Sequence, residues 1–334
     1  MIEMKIALAP FNKNNKRIRE ELVFLGKSIG IINENTKTNN LIGLTITNSP
    51  DNPYDILIKE NPENNQLICL SKEENGNVNQ LDIKTHPNLG IRQQCLEIVA
   101  YTIKKIGITH TLSIIITNYN YGRYLEDAIQ SALKHITDEI EVLVLDNAST
   151  DETNIILAKH ESNARIRIIK NDNNLGATQN WKNGTNLSSG KFICYLCADD
   201  SFTDTFIPEA LQAIKHYNPD VIFSRVIYKN ENLYEYQHPG YPKSPGPTHR
   251  NELLHLLTKD NYCTPSATIY RKSLVERYDT NKYGFHGAGD WALPSLISLY
   301  DGIFVYLENP GCFYRLHAEQ HTKSWGKGVE PIED

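Results

Sequence analysis

From residue 111 onward the chain alternates short apolar runs with segments of helical spacing. Ser113-Ile-Ile-Ile-Thr117 is an unbroken apolar run of strand length, the pattern of a strand buried on both faces. Directly after it, Leu125, Ala128, Ile129, Ala132 and Leu133 recur at i, i+3, i+4, i+7 and i+8, which predicts a helix with one apolar stripe turned to a sheet. Further strands are predicted at residues 140–145, 165–169, 192–196 and 221–228. A second helix should open in the segment 146–153, with Ser149 or Thr150 as its cap and Asp151 and Glu152 in its first turn. Strands alternating with helices define an α/β class with a largely parallel sheet. Ligands of such sheets sit beyond the carboxyl ends of the strands, where Thr117, Asp146 and the pair Asp199-Asp200 fall.

The first hundred residues have a different texture. Residues 5–9, 28–33, 41–47, 54–59 and 66–70 are short strand candidates, 16–25 and 89–106 carry helical spacing, and Asn, Pro and Asp supply the turns between them. This predicts a small α/β N-terminal domain over residues 1–108, followed by a larger domain over 109–334. The phrase Tyr54-Asp-Ile-Leu-Ile58 resembles a strand of the small Rossmann-like domains attached to sugar-modifying enzymes. No glycine-rich loop follows residues 5–9, so a bound dinucleotide is not implied.

Composition narrows the partners. The length of 334 residues leaves room for about two domains. Lys+Arg 34 against Asp+Glu 40 gives a net charge of −6, without the basic excess that draws a chain to nucleic acid. The longest apolar runs, 112–117 and 140–145, fall far short of the roughly 20 residues that span a bilayer. Met1-Ile-Glu-Met-Lys5 lacks the pattern of a secretory signal, so the expected compartment is the cytoplasm. There the six cysteines read as free thiols, and the sequons at Asn147, Asn183 and Asn186 carry no weight.

Four motifs occur in order: Ser113-Ile-Ile-Ile-Thr-Asn-Tyr-Asn120, Val142-Leu-Val-Leu-Asp-Asn-Ala-Ser-Thr-Asp151, Tyr195-Leu-Cys-Ala-Asp-Asp200, and Gly289-Asp290-Trp291 before Tyr314-Arg-Leu-His317. On these, residues 111–323 resemble a family 2 glycosyltransferase with the GT-A fold. The resemblance implies inverting transfer of a sugar from a nucleotide diphosphate donor, UDP-linked for preference, to a hydroxyl of a glycan or lipid-linked acceptor. Asp199 and Asp200 would then hold Mn²⁺ or Mg²⁺ against the departing diphosphate, as hard oxygen ligands do. His317 resembles a further ligand of that metal, and Arg315 would counter phosphate charge. Asp146 matches the aspartate that accepts a hydrogen bond from the base, with Thr117 and Tyr119 lining base and ribose. Asn174, Gly176 and Asn180 resemble the donor-side loop. Asp290 matches the general base that takes the acceptor proton. Three positions depart from the family's phrases: Cys197 and Gly289 stand where acidic residues are usual, and Gln179 where an arginine is. A lipid-linked acceptor would bring the protein to the inner face of the membrane as a peripheral visitor.

Other patterns have plainer readings. Cys194 and Cys197 form a C-x-x-C on a predicted strand with no second pair, which favours buried thiols over zinc. In His317-Ala-Glu-Gln-His321 the glutamate does not follow the first histidine, so this is no zincin site. Gly287-Ala-Gly289 has no strand leading into it and is not a dinucleotide fingerprint. Tyr234, Tyr236, His238, Tyr241 and Trp325 suit either stacking on a sugar or ordinary anchoring of loops. Two rivals remain: a nucleotidyltransferase, which would want a glycine-rich basic loop that residues 118–124 do not supply, and a non-catalytic nucleotide-sugar or glycan binding module.

Overall fold

A computed structural model describes strand backbone at 6–8, 44–46, 56–60, 67–72 and 78–80, and residues 110–163, 165–229, 241–278, 289–299 and 302–320. Among the first of these, Ile6–Leu8 pairs in parallel with both Leu44–Ile46 and Ile56–Glu60. Leu67–Lys72 adds antiparallel to Ile56–Glu60, and Val78–Gln80 antiparallel to Leu67–Lys72. Four of the five predicted early strands overlap these; the strand at 28–33 and the helices at 16–25 and 89–106 lie outside the described residues. The chain divides into two compact units, Met1–Gly122 with Ile136–Ile193, and Arg123–His135 with Cys194–Asp334.

The first unit contains three parallel strands, His110–Asn118, Ile140–Asp146 and Ile166–Lys170. All seven residues of Ile140–Asp146 are buried, because the strand has a neighbour on each side and apolar side chains on both faces. Register sets Asn118 beside Asp146 and Asp146 beside Lys170, so polar residues gather at the carboxyl end. Gly184 lies in helix Ala177–Leu187 where a Cβ would come within 2.6 Å of Ile115 Cγ2, so only glycine allows the helix this close to the strand.

The opposite strand ends carry a polar cluster. Glu141 accepts hydrogen bonds from Ser113 Oγ (2.5 Å), Ser189 N (2.5 Å) and Arg167 Nη1 (2.7 Å). Glu141 and Arg167 are each only 7% exposed. Burial alone would raise the Glu141 carboxyl, but Arg167 and the two serines outweigh it and hold the group below the usual carboxylate range.

One expectation is corrected in this unit. The second helix runs Thr153–His160, and neither Ser149 nor Thr150 caps it. The Ser149 hydroxyl is occupied by Asp146 Oδ1 (2.5 Å) and Asn118 Nδ2 (3.0 Å). The first helical N–H, of Thr153, goes instead to Asp151 Oδ1 (3.1 Å), and both acidic residues precede the first turn.

In the second unit Val221–Lys229 runs parallel to Phe304–Arg315 and antiparallel to Thr268–Arg271. Ser201–Phe202 and Gly246–Thr248 add antiparallel to Phe304–Arg315. Phe206, Phe223 and Phe304 are fully buried and form the centre of this core. Of the stripe predicted from spacing, Leu125, Ala128, Ile129 and Ala132 are wholly buried on helix Gly122–Leu133, while Leu133 at its end is half-buried. Tyr314 and Arg315 belong to the last core strand, because pairing with Tyr228 and Lys229 extends it to Arg315.

Candidate active site

In the first unit, Asp146 ends its strand 2% exposed, with its carboxylate fixed by neighbours. Oδ1 accepts from Asn118 Nδ2 (3.1 Å) and Ser149 Oγ (2.5 Å), and Oδ2 from Ser149 N (3.3 Å). Asn118 Nδ2 also reaches Thr153 Oγ1 at 3.0 Å, tying the strand end to the start of the next helix. Thr117 is half-buried and Tyr119 is 44% exposed, one residue to either side of Asn118. A carboxylate held this way keeps one orientation, which suits it to read a donor N–H on a planar ring.

Asn174, Gly176 and Asn180 join a network of side-chain amides. Asn147 Nδ2 donates to Asn174 Oδ1 (2.7 Å), while Asn147 Oδ1 accepts from Asn171 Nδ2 (2.9 Å) and Leu175 N (3.0 Å). Asn171 Nδ2 also donates to Asn180 Oδ1 (3.0 Å). Gly176 has φ of +79°, a left-handed conformation that favours glycine at the entrance to helix Ala177–Leu187. Asn174 and Gly176 are exposed, whereas Asn180 is buried and acts by holding the loop.

In the second unit, Asp199 and Asp200 follow the end of strand Gly190–Cys197, both nearly buried at 8% and 2% exposed. His317 Nε2 lies 3.1 Å from Asp199 Oδ2. Asp200 accepts from Ser266 Oγ (2.6 Å) and from the Arg315 backbone N–H (3.0 Å). Burial and the adjacent Asp199 push the Asp200 carboxyl up to about 8 in spite of those bonds. The Arg315 guanidinium donates to the Asp199 carbonyl (2.9 Å) and to Asp127 (3.0 Å), and lies over the Tyr124 ring, whose centroid is 4.9 Å from that of His317. Arg315 is therefore a brace for the Asp199 turn as well as a local positive charge.

The donor set fits a divalent cation. Cys197, Asp199 and Asp200 each offer one ligand atom within 4.8 Å of the others, and a cation there would relieve the burial and repulsion that keep the Asp200 carboxyl from ionising beside Asp199.

Asp290 stands in the first turn of helix Gly289–Ser298. Its Oδ2 accepts from Asn261 Nδ2 at 2.9 Å, and Trp291 Nε1 ties the helix start to the Leu257 carbonyl at 2.8 Å. Burial raises the Asp290 carboxyl above its ordinary value, and the bonds from Trp291 N–H, its own N–H and Asn261 only partly offset this. The result is a carboxylate with an enhanced affinity for protons. Asn118, Asn171, Ser266 and Asn261 were not singled out in the sequence, and Ser149 only as a helix cap, since they act through other side chains and follow no periodic pattern.

A parallel α/β unit whose strand ends in a fixed aspartate, and a mixed unit with paired buried carboxylates, are the parts of a GT-A fold. Residues 113–279 match the model described as glycosyl transferase family 2, half of the 334-residue chain, and the chain belongs to that family. It is 26% identical over 133 residues to "Glycosyltransferase GlyG" of Streptococcus pneumoniae, covering 39% of this chain and 44% of that one. It is 25% identical over 210 residues to "GalNAc(5)-diNAcBac-PP-undecaprenol beta-1,3-glucosyltransferase" of Campylobacter jejuni, covering 61% of this chain and 64% of the other. The chain thus spans between about half and two thirds of these relatives. Among solved structures, TarS 1-349 of S. aureus in complex with UDP-GlcNAc superposes with a TM-score of 0.53 at 18% identity, over 64% of this chain and 61% of that one, a likeness of fold. No helix among the described residues is long and apolar enough to cross a membrane.

Proposed function

We propose that the protein transfers a sugar, with inversion, from a nucleotide diphosphate sugar, UDP-linked, to a hydroxyl of a glycan or lipid-linked acceptor. The observation that carries this reading is the buried carboxylate pair Asp199 and Asp200 with His317 against Asp199. Names of similar proteins support it: one neighbour is a complex with UDP-GlcNAc, and one relative is named for an undecaprenol-linked substrate. With such an acceptor the protein works at the cytoplasmic face of the membrane as a peripheral enzyme. Residues 1–108 are a separate small domain, and a chain lacking residues 1–105 should still bind nucleotide.

In this mechanism Asp146 accepts the N3–H of uracil, its carboxylate oriented by Asn118 and Ser149. Thr117 and Tyr119 line the base and ribose, and Asn174, Gly176 and Asn180 shape the donor loop. Asp199, Asp200 and His317 would hold Mn²⁺ or Mg²⁺. Bound there, the ion supplies positive charge to the diphosphate as it leaves. Arg315 steadies the Asp199 carbonyl and adds positive charge. Asp290 takes the proton of the acceptor hydroxyl as its oxygen attacks the anomeric carbon from the face opposite the diphosphate, and its burial makes it a stronger base than a solvated carboxylate.

The test is Asp290→Asn. Turnover of UDP-sugar with acceptor should fall by about 10²–10⁴-fold, with UDP affinity unchanged. A variant as fast as the wild type would remove Asp290 from the reaction. UDP binding without turnover in the wild type would favour a binding module.

A further inference from the structure

Cys197 has no part in the mechanism above, yet it stands at the centre of the carboxylate site. It is the last residue of strand Gly190–Cys197, and its backbone N–H is fixed by Ser266 Oγ at 3.1 Å, the same hydroxyl that donates to Asp200. Its sulfur and one oxygen each from Asp199 and Asp200 lie within 4.8 Å of one another. An ion held at about 2.0–2.4 Å by each ligand separates opposite ligands by up to about 4.8 Å, so all three atoms can share one ion with little movement. The His317 imidazole, bonded to Asp199, brings a nitrogen donor to the same carboxylate.

A site of carboxylates alone suits Mg²⁺ and Mn²⁺, whereas a thiolate beside imidazole and carboxylate suits Zn²⁺ and Cd²⁺. We propose that Cys197 makes this a mixed sulfur and oxygen site that selects a thiophilic divalent ion over Mg²⁺. This rests on the reading of Asp199 and Asp200 as the metal-binding pair. In the binding step the S–H bond breaks, its proton passes to solvent, and the sulfur electron pair forms the bond to the ion.

The full-length protein, stripped with EDTA, is titrated with CdCl₂, ZnCl₂ and MgCl₂, with and without UDP, by calorimetry and ultraviolet absorption. The expected result is a sulfur-to-cadmium charge-transfer band that saturates at one equivalent. Cd²⁺ and Zn²⁺ should bind more tightly than Mg²⁺ by about tenfold or more, a difference of about 1.4 kcal/mol. Cys197→Ser should lose the band and the preference, and Cys197→Asp should bind Mg²⁺ better than the wild type, with circular dichroism reporting that both are folded. A band that survives in Cys197→Ser overturns the proposal, since other thiols then carry it. Binding of Mg²⁺ or Mn²⁺ that depends on Asp199, with no band in the wild type, overturns it while leaving the carboxylate pair as a site for hard cations. Absence of binding by every ion overturns both.

Discussion

Replacing Glu141 by leucine should be among the most damaging single changes in the first unit. The carboxylate receives Ser113 Oγ, Ser189 N and Arg167 Nη1 at 2.5 to 2.7 Å, and Arg167 is 7% exposed. Among the described residues Arg167 Nε and Nη2 have no hydrogen-bond partner, so Glu141→Leu would leave a buried guanidinium without a counter-charge there. Breaking a buried pair in this way costs about 3–5 kcal/mol. At about 2–3 kcal/mol per molar urea, the unfolding midpoint should drop by about 1 to 2.5 M. The double variant Glu141→Leu/Arg167→Leu should recover most of the loss, because an apolar pair replaces an ion pair that had to be desolvated. The sign with pH follows from the depressed Glu141 carboxyl: its stabilisation is present above the unfolded-state value and is lost as pH falls through the lower folded value. The wild type should therefore lose its advantage over the double variant in acid. A single variant within about 0.5 kcal/mol of wild type, on the scale of an ordinary surface change, would refute the reasoning.

Other substitutions probe the site and its frame. Gly184→Ala forces a Cβ to within 2.6 Å of Ile115 Cγ2 and 3.1 Å of Leu145 Cδ2, and should cost about 1–3 kcal/mol in thermal or urea unfolding. Asn118→Ala removes three hydrogen bonds, including one to Asp146, and should weaken UDP binding more than it slows turnover at saturating donor. Because burial raises Asp290, the acid limb of the kcat/KM profile should lie above the ordinary carboxylate range; Asn261→Leu, which deletes a donor to the carboxylate, should move that limb to still higher pH.

The strands that carry Thr117 and Asp146, and the one that leads to Asp199, were legible because each is an apolar run ended by polar residues, a pattern fixed by burial on both faces. The helical stripe was legible because burial of one face imposes its spacing; Leu125, Ala128, Ile129 and Ala132 are wholly buried, and Leu133 at the helix end is half-buried. Capping was misjudged because the Ser149 hydroxyl has three competing partners, Asp146, Asn118 and the Asn120 N–H, and the last two come near only through the pairing of strands. The Glu141 and Arg167 pair was invisible because a single charge in a strand normally marks a solvated position; only the fold reveals that each has the other. Ser266 and Asn261 lie 66 and 29 residues from the carboxylates they hold, a separation no local pattern bridges.

The central claim is a nucleotide site that depends on a cation at Asp199. Calorimetric titration of UDP into the wild type and Asp199→Ala, with Mn²⁺ and again with EDTA, tests it most directly. The account predicts binding by the wild type that needs the metal and is lost in the variant. Binding that is equal with EDTA, or unchanged in Asp199→Ala, would contradict it.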